Sequence, residues 1–189
     1  MQNDFLLEAI KTTLQKTKVY KLANIASENE FLVKDLIDLT FHKEEQVGFR
    51  AAWILENIYT NHFERFLPQA HYFLKKFSEQ NNLSARRHYT KILALITKKN
   101  APLAIKEIIN NYQIDALVET VFSWLIDEKV PVAVKSHCLN ILHNFSSKRS
   151  WIKDELIQTM DYLVDKESIA FYAKVKQIRK QLNKTDSSQ

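Results

Sequence analysis

Side chains able to do chemistry are spread thinly along this chain of 189 residues. Its histidines are His42, His62, His71, His88, His137 and His143. No two stand at i and i+4, the spacing that presents two imidazoles from one helical face, and H-E-x-x-H is absent. His137 and His143 would point different ways on one helix, so neither a metal site nor a cofactor is expected. Cys138 shares an apolar stripe with Val134, Ile141 and Leu142, which predicts a packing thiol rather than a nucleophile. With Gly48 as its single glycine, the chain holds no G-x-S-x-G elbow, Walker A loop or dinucleotide fingerprint. Paired carboxylates such as Glu44-Glu45 fall at predicted helix starts, where the helix dipole favours negative charge. An enzyme is therefore not expected.

The basic residues offer more. Arg50, Arg86, Arg87, Lys91, Lys135 and Lys174 fall along predicted helices. Trp53 and Tyr89 stand three residues after Arg50 and Arg86. Cations and aromatics so placed suit a groove for an acidic peptide or a phosphate backbone, the rings adding stacking. Lys75-Lys76, Lys98-Lys99 and Lys148-Arg149 fall instead at predicted helix C-termini, where cations suit the dipole and carry no functional signal.

Helices must position these residues. A usage of roughly 7% would give about thirteen glycines, so the tight turns of a β-meander are excluded. Apolar residues recur at helical spacing almost throughout, and strict alternation is absent. Helices are predicted over 4–16, 18–28, 30–41 and 44–61, the last striped by Val47, Ala51, Ile54, Leu55 and Ile58. Gly48 lies inside it, where glycine costs about 1 kcal/mol against alanine. Close approach of a neighbour and neutral substitution both account for it. A helix over 62–79 should kink or restart at Pro68. Further helices follow over 83–98, a short one opened by Ala101-Pro102, 114–126, one started by Pro131, 150–164 and 168–182. Ser150 and Ser168 are expected N-caps, and the polar tail 183–189 is expected to fray.

Connections are short, and no Gly/Ser-rich linker divides the chain, so residues 1–182 are expected to form one domain. No apolar run approaches the ~20 residues of a membrane span. The first residues lack a secretory signal's basic and apolar regions, and the lone cysteine excludes a disulfide framework. A cytoplasmic protein with no membrane contact is expected. The net charge of +5 permits acidic partners without requiring them.

An internal repeat emerges when segments 46–58, 82–96, 130–142 and 167–182 are aligned. Each has an apolar start, a basic residue and an apolar run. Arg50, Arg86, Lys135 and Lys174 are separated by 36, 49 and 39 residues, and the long middle interval fits a short inserted helix near 101–113. In this form the chain resembles HEAT repeats, whose second helix carries an apolar-Arg-x-Ala-Ala-x-x-Leu string. Phe49-Arg50-Ala51-Ala52-Trp53-Ile54-Leu55 matches it closely and Val134-Lys135-Ser136-His137-Cys138-Leu139 more loosely. The resemblance implies an all-α, α-α superhelix of about five stacked antiparallel helix pairs. A non-repetitive helical bundle is the alternative. It further implies that second helices line a concave binding face, offering Arg50, Trp53, Arg86, Arg87, Tyr89, Lys135 and Lys174. A protein or peptide is the expected occupant, and nucleic acid the alternative. In such repeats the basic residue also serves structure by pairing with an acidic turn residue, for which Asp38 and Asp127 are available. HEAT-like DNA glycosylases share the architecture, but the chain lacks their buried aspartate between two tryptophans.

Overall fold

The computed structural model describes residues 2–11, 19, 21–24 and 33–186, and no strand occurs among them. Eleven helices are delimited: α1 (Gln2–Lys11), α2 (Val33–Leu39), α3 (Glu45–Asn61), α4 (Phe63–Phe66), α5 (Ala70–Phe77), α6 (Leu83–Ile96), α7 (Leu103–Asn110), α8 (Asp115–Ile126), α9 (Val132–Ser146), α10 (Ser150–Leu163) and α11 (Ile169–Asp186). Most of the helix predicted over 18–28 lies outside the described residues, although 19 and 21–24 are helical.

Local chemistry explains several boundaries. The helix expected over 62–79 is three pieces, because Pro68 sits in a 3-10 turn, Leu67–Gln69, between α4 and α5. In the first turn of such a segment, proline's missing N–H leaves no bond unmade. Asn82 caps α6, its Oδ1 accepting from the N–H groups of Ser84 and Ala85 at 3.0 and 3.1 Å. Ser150 is not a cap: Arg149 occupies that position without a side-chain bond, and Ser150 is the first helical residue. Ser168 does cap, its Oγ accepting from the Phe171 N–H at 3.4 Å. α11 runs on to Asp186, within the segment expected to fray, and 187–189 lie outside the described residues.

The chain forms two compact units, residues 1–92 with 102–111 and residues 93–101 with 112–189. In the first, α3 packs against α1, α2 and α4. It buries the whole predicted stripe of Val47, Ala51, Ile54, Leu55 and Ile58. Val47, Ile54, Leu55 and Ile58 each contribute about 1.5–3 kcal/mol when taken out of water. Helices α5 and α6 meet through Phe73 and Phe77 against Tyr89, with ring centroids 4.9 and 6.2 Å apart. The inserted helix α7 packs on α5. In the second unit, α9 touches α8, α10 and α11. It buries Val134, Leu139, Ile141, Leu142 and Phe145, and Cys138 is buried with them as its stripe predicts. In both units a second helix of a pair supplies the centre of the core.

Candidate interaction surface

Arg50 projects from α3 to the end of α1. Its Nη1 donates to the carbonyls of Ile10 at 3.0 Å and Lys11 at 2.6 Å. The last carbonyls of a helix have no partner within it, so the guanidinium caps α1 with a charge that suits the dipole. Asp38, the expected acceptor, takes the Lys34 ammonium at 2.8 Å and the Tyr72 hydroxyl instead. Arg86 donates through Nε to the Gln80 carbonyl at 2.9 Å. Lys135 is 1% exposed and pairs with Glu167, whereas Asp127 accepts the Lys129 N–H at 2.9 Å. Two expected acidic partners are thus replaced, and the cations are held all the same.

Lys174 of α11 is half-buried. It donates to Gln177 Oε1 at 2.9 Å, and burial holds its ammonium pKa below the ordinary value. Arg87 is exposed. The two aromatics part company. Tyr89 turns inward and is fully buried, its hydroxyl 2.6 Å from Thr40 Oγ1. Thr40 and Gln80 form a buried polar set with it, in which Gln80 Nε2 reaches Thr40 Oγ1 at 3.3 Å. A buried phenol needs such a partner, and this one draws Tyr89 away from any exposed face.

Trp53 stays half-buried and leads to a cluster that the sequence did not single out. Its ring stacks on His88 at 6.4 Å and 17°, and Phe49 lies 5.3 Å from the same imidazole. His88 Nδ1 is 2.7 Å from Glu56 Oε2, and Lys91 donates to Glu56 Oε1 at 2.5 Å. Burial pushes the Glu56 carboxyl upward, but hydrogen bonds and charge from His88 and Lys91 outweigh it and leave the pKa below the ordinary value. Phe49, Trp53 and Glu56 fall at i, i+4 and i+7 of α3, so the spacing carried a signal. Phe49 and Trp53 wall in His88, which is buried. Of the seven sequence-derived candidates, Arg87, Trp53 and Lys174 keep side chains toward solvent without an ion pair or carbonyl cap. Among the described residues no group of three or more His, Cys, Asp and Glu is placed to hold a metal ion. No described helix is long and apolar enough to cross a membrane.

His143 of α9 gives the second unit a pH response. Burial lowers its pKa, the nearby Lys174 ammonium lowers it further, and Nδ1 is buried with no hydrogen-bond partner among the described residues. The unfolded chain then binds a proton more readily than the folded chain. Stability must therefore fall as pH drops below the unfolded value of about 6.5. Melting curves at pH 7.5 and about pH 5.5 should show a drop for the natural chain that His143→Gln narrows. An undiminished drop in the variant would assign the response elsewhere.

No curated protein and no solved structure matches the chain. A family model described as HEAT repeat domain matches residues 6–184. That span takes in every helix pair and every basic residue of the repeat, so the chain belongs to the HEAT repeat domain family.

Proposed function

We propose that the chain is a non-enzymatic interaction module holding a protein segment on the second-helix face of its first unit, with Trp53 and Arg87 as the contacts. HEAT repeats generally serve as protein-interaction scaffolds. What carries the choice of a protein over a nucleic acid is the state of the cations. A phosphate groove needs Lys and Arg free to displace counterions. Here Arg50 and Arg86 are spent on main-chain carbonyls and Lys135 on Glu167. The exposed Arg87, next to His88 in α6, and the half-buried Trp53 that stacks on that imidazole suit an extended or helical segment with an acidic and an apolar side chain. The buried Cys138 fits work in a reducing, cytoplasmic setting.

The discriminating experiment is binding of labelled single- and double-stranded DNA and RNA at about 50 and 200 mM salt. The expected result is no saturable binding at either. Affinity that falls on the order of a thousandfold or more across that range would establish the nucleic-acid alternative. Affinity purification from the native cell with the natural chain and with Arg87→Glu plus Trp53→Ala completes the test. A protein partner retained equally by both would place its site elsewhere.

A further inference from the structure

In the second unit a cleft of about 490 Å³ opens between α8 and α10, lined by Ile126, Glu155, Gln158, Thr159 and Tyr162. Two of its lining side chains, Ile126 at 53% exposed and Tyr162 at 60%, are of a kind that folding normally hides. Toward the start of α10, Trp151 is 45% exposed and stacks on Phe122 of α8, with centroids 6.3 Å apart and planes tilted by 30°. Trp151, Glu155, Gln158 and Tyr162 stand at i, i+4, i+7 and i+11, so they share one face of α10 along about 16 Å. Glu119, Phe122 and Ile126 stand at i, i+3 and i+7 of α8. Both are first helices of their pairs, so this surface is separate from the second-helix contacts proposed above and stands independently of them.

Charge says what would cover it. The chain as a whole is positive, at +5. Yet α8 and α10 carry Asp115, Glu119, Asp154, Glu155 and Asp161 against Lys153 alone. The basic residues nearest these helices lie at the ends of α10, Lys148 and Arg149 before it and Lys166 after it, and Asp161 is paired with Arg179 of α11. The exposed Glu155 on the cleft lining, and the exposed Glu119 on the same α8 face as Ile126, leave the middle of the aromatic and aliphatic strip with an acidic border. Its far end already takes a cation, since the Lys166 ammonium lies 3.4 Å from the centroid of the Tyr162 ring. Large aromatics in a partly desolvated groove make the strongest anchors of an interface, and rim charges select the partner and speed its approach.

We infer that the α8–α10 cleft docks a basic amphipathic helix of a partner protein. The helix lays its apolar stripe on Phe122, Ile126, Trp151 and Tyr162. Its lysines and arginines face Glu119 and Glu155. The length of the strip admits about three helical turns, the usual reach of a helix seated in a groove.

The test uses the full chain and two synthetic peptides of about 18 residues, both with leucine at i, i+3, i+4 and i+7. One carries lysine at the remaining positions and the other glutamate. Binding is followed by anisotropy of the labelled peptide. The lysine peptide should bind saturably at one per chain, with the glutamate peptide at least about tenfold weaker. Trp151→Ala and Tyr162→Ala should each weaken binding by about tenfold, and Glu119→Lys with Glu155→Lys should reverse the preference. Tyr162 and the two glutamates are exposed, so melting temperatures of those variants should match the natural chain, and their loss of binding reports the site even where Trp151→Ala lowers stability by removing the stack on Phe122. Absence of saturable binding, equal binding of both peptides, or binding indifferent to all these substitutions overturns the proposal. Sedimentation velocity tests the other occupant. Self-association abolished by Trp151→Ala would mean that a second copy covers the cleft, through a surface such as the exposed Ile169 and Tyr172 of its basic α11, and would likewise overturn it.

Discussion

Replacing Glu167 by alanine is expected to cost about 3 kcal/mol of stability, while Lys135→Met costs under about 1 kcal/mol. The asymmetry follows from where the two charges sit. The Lys135 side chain is 1% exposed, and Glu167 is 19% exposed at the connection leading into α11. Without Glu167 the ammonium stays inside α9 with its counter-charge gone, and desolvation is no longer offset. Methionine keeps the packing of the lysine stem and removes the charge, while the carboxylate it strands can still reach water. For a chain of this length the Glu167→Ala loss corresponds to a fall of about 6–12 °C in melting temperature. Urea unfolding and calorimetry of both variants read the two values directly. Equal losses would sink the argument. A neutral Glu167→Ala would mean that Lys135 escapes to solvent, and the basic second-helix row would again be open to phosphates.

The contrast between Lys135 and its expected acceptor shows what spacing along a chain conveys. Arg50, Arg86, Lys135 and Lys174 announced the repeat because each falls at the same point of a 3.6-residue pattern, which is local information. Their partners are not local. Arg50 finds carbonyls 39 and 40 residues away at the end of α1, and Lys135 finds a carboxylate 32 residues ahead in the next pair. Asp38 and Asp127 lay nearer in sequence, but the chain path carries them to Lys34, Tyr72 and the Lys129 N–H. Trp53 and Tyr89 make the same point. They share an offset of three residues from an arginine, yet only Tyr89 meets the aromatic wall of Phe73 and Phe77 and the hydroxyl of Thr40. Helix type and the inserted α7 were thus readable from periodicity. The burial of Tyr89 and His88 depended on which helix lay opposite, and no single segment records that.

Gly48→Ala is expected to lower stability by about 1–2 kcal/mol, although alanine is the better helix former by about 1 kcal/mol. In α3 a Cβ at this position would lie 2.7 Å from the carbonyl oxygen of Thr40 and 3.1 Å from Asn82 Nδ2. The first of these is backbone and cannot swing aside. Relief requires the turn after α2 to shift, and Thr40 is tied on its other side. Its Oγ1 bonds the Ile37 carbonyl and the Tyr89 hydroxyl, each at 2.6 Å, and Gln80 reaches it at 3.3 Å. Asn82 is also fixed, because it donates to the Glu45 carbonyl at 2.9 Å while capping α6. One methyl group therefore disturbs the α2–α3 turn, the α6 cap and the buried hydroxyl of Tyr89 together. Overpacking of this kind costs about 1–3 kcal/mol, which exceeds the propensity gain. Gln46→Ala, exposed two residues earlier in the same helix, isolates the propensity contribution and should change stability by no more than about 0.5 kcal/mol. Near-UV circular dichroism should change for Gly48→Ala and not for Gln46→Ala, because only the former displaces the Tyr89 environment. If Gly48→Ala instead stabilises the chain by the full propensity difference, the glycine is a neutral replacement, and close approach of the turn is not what keeps it there.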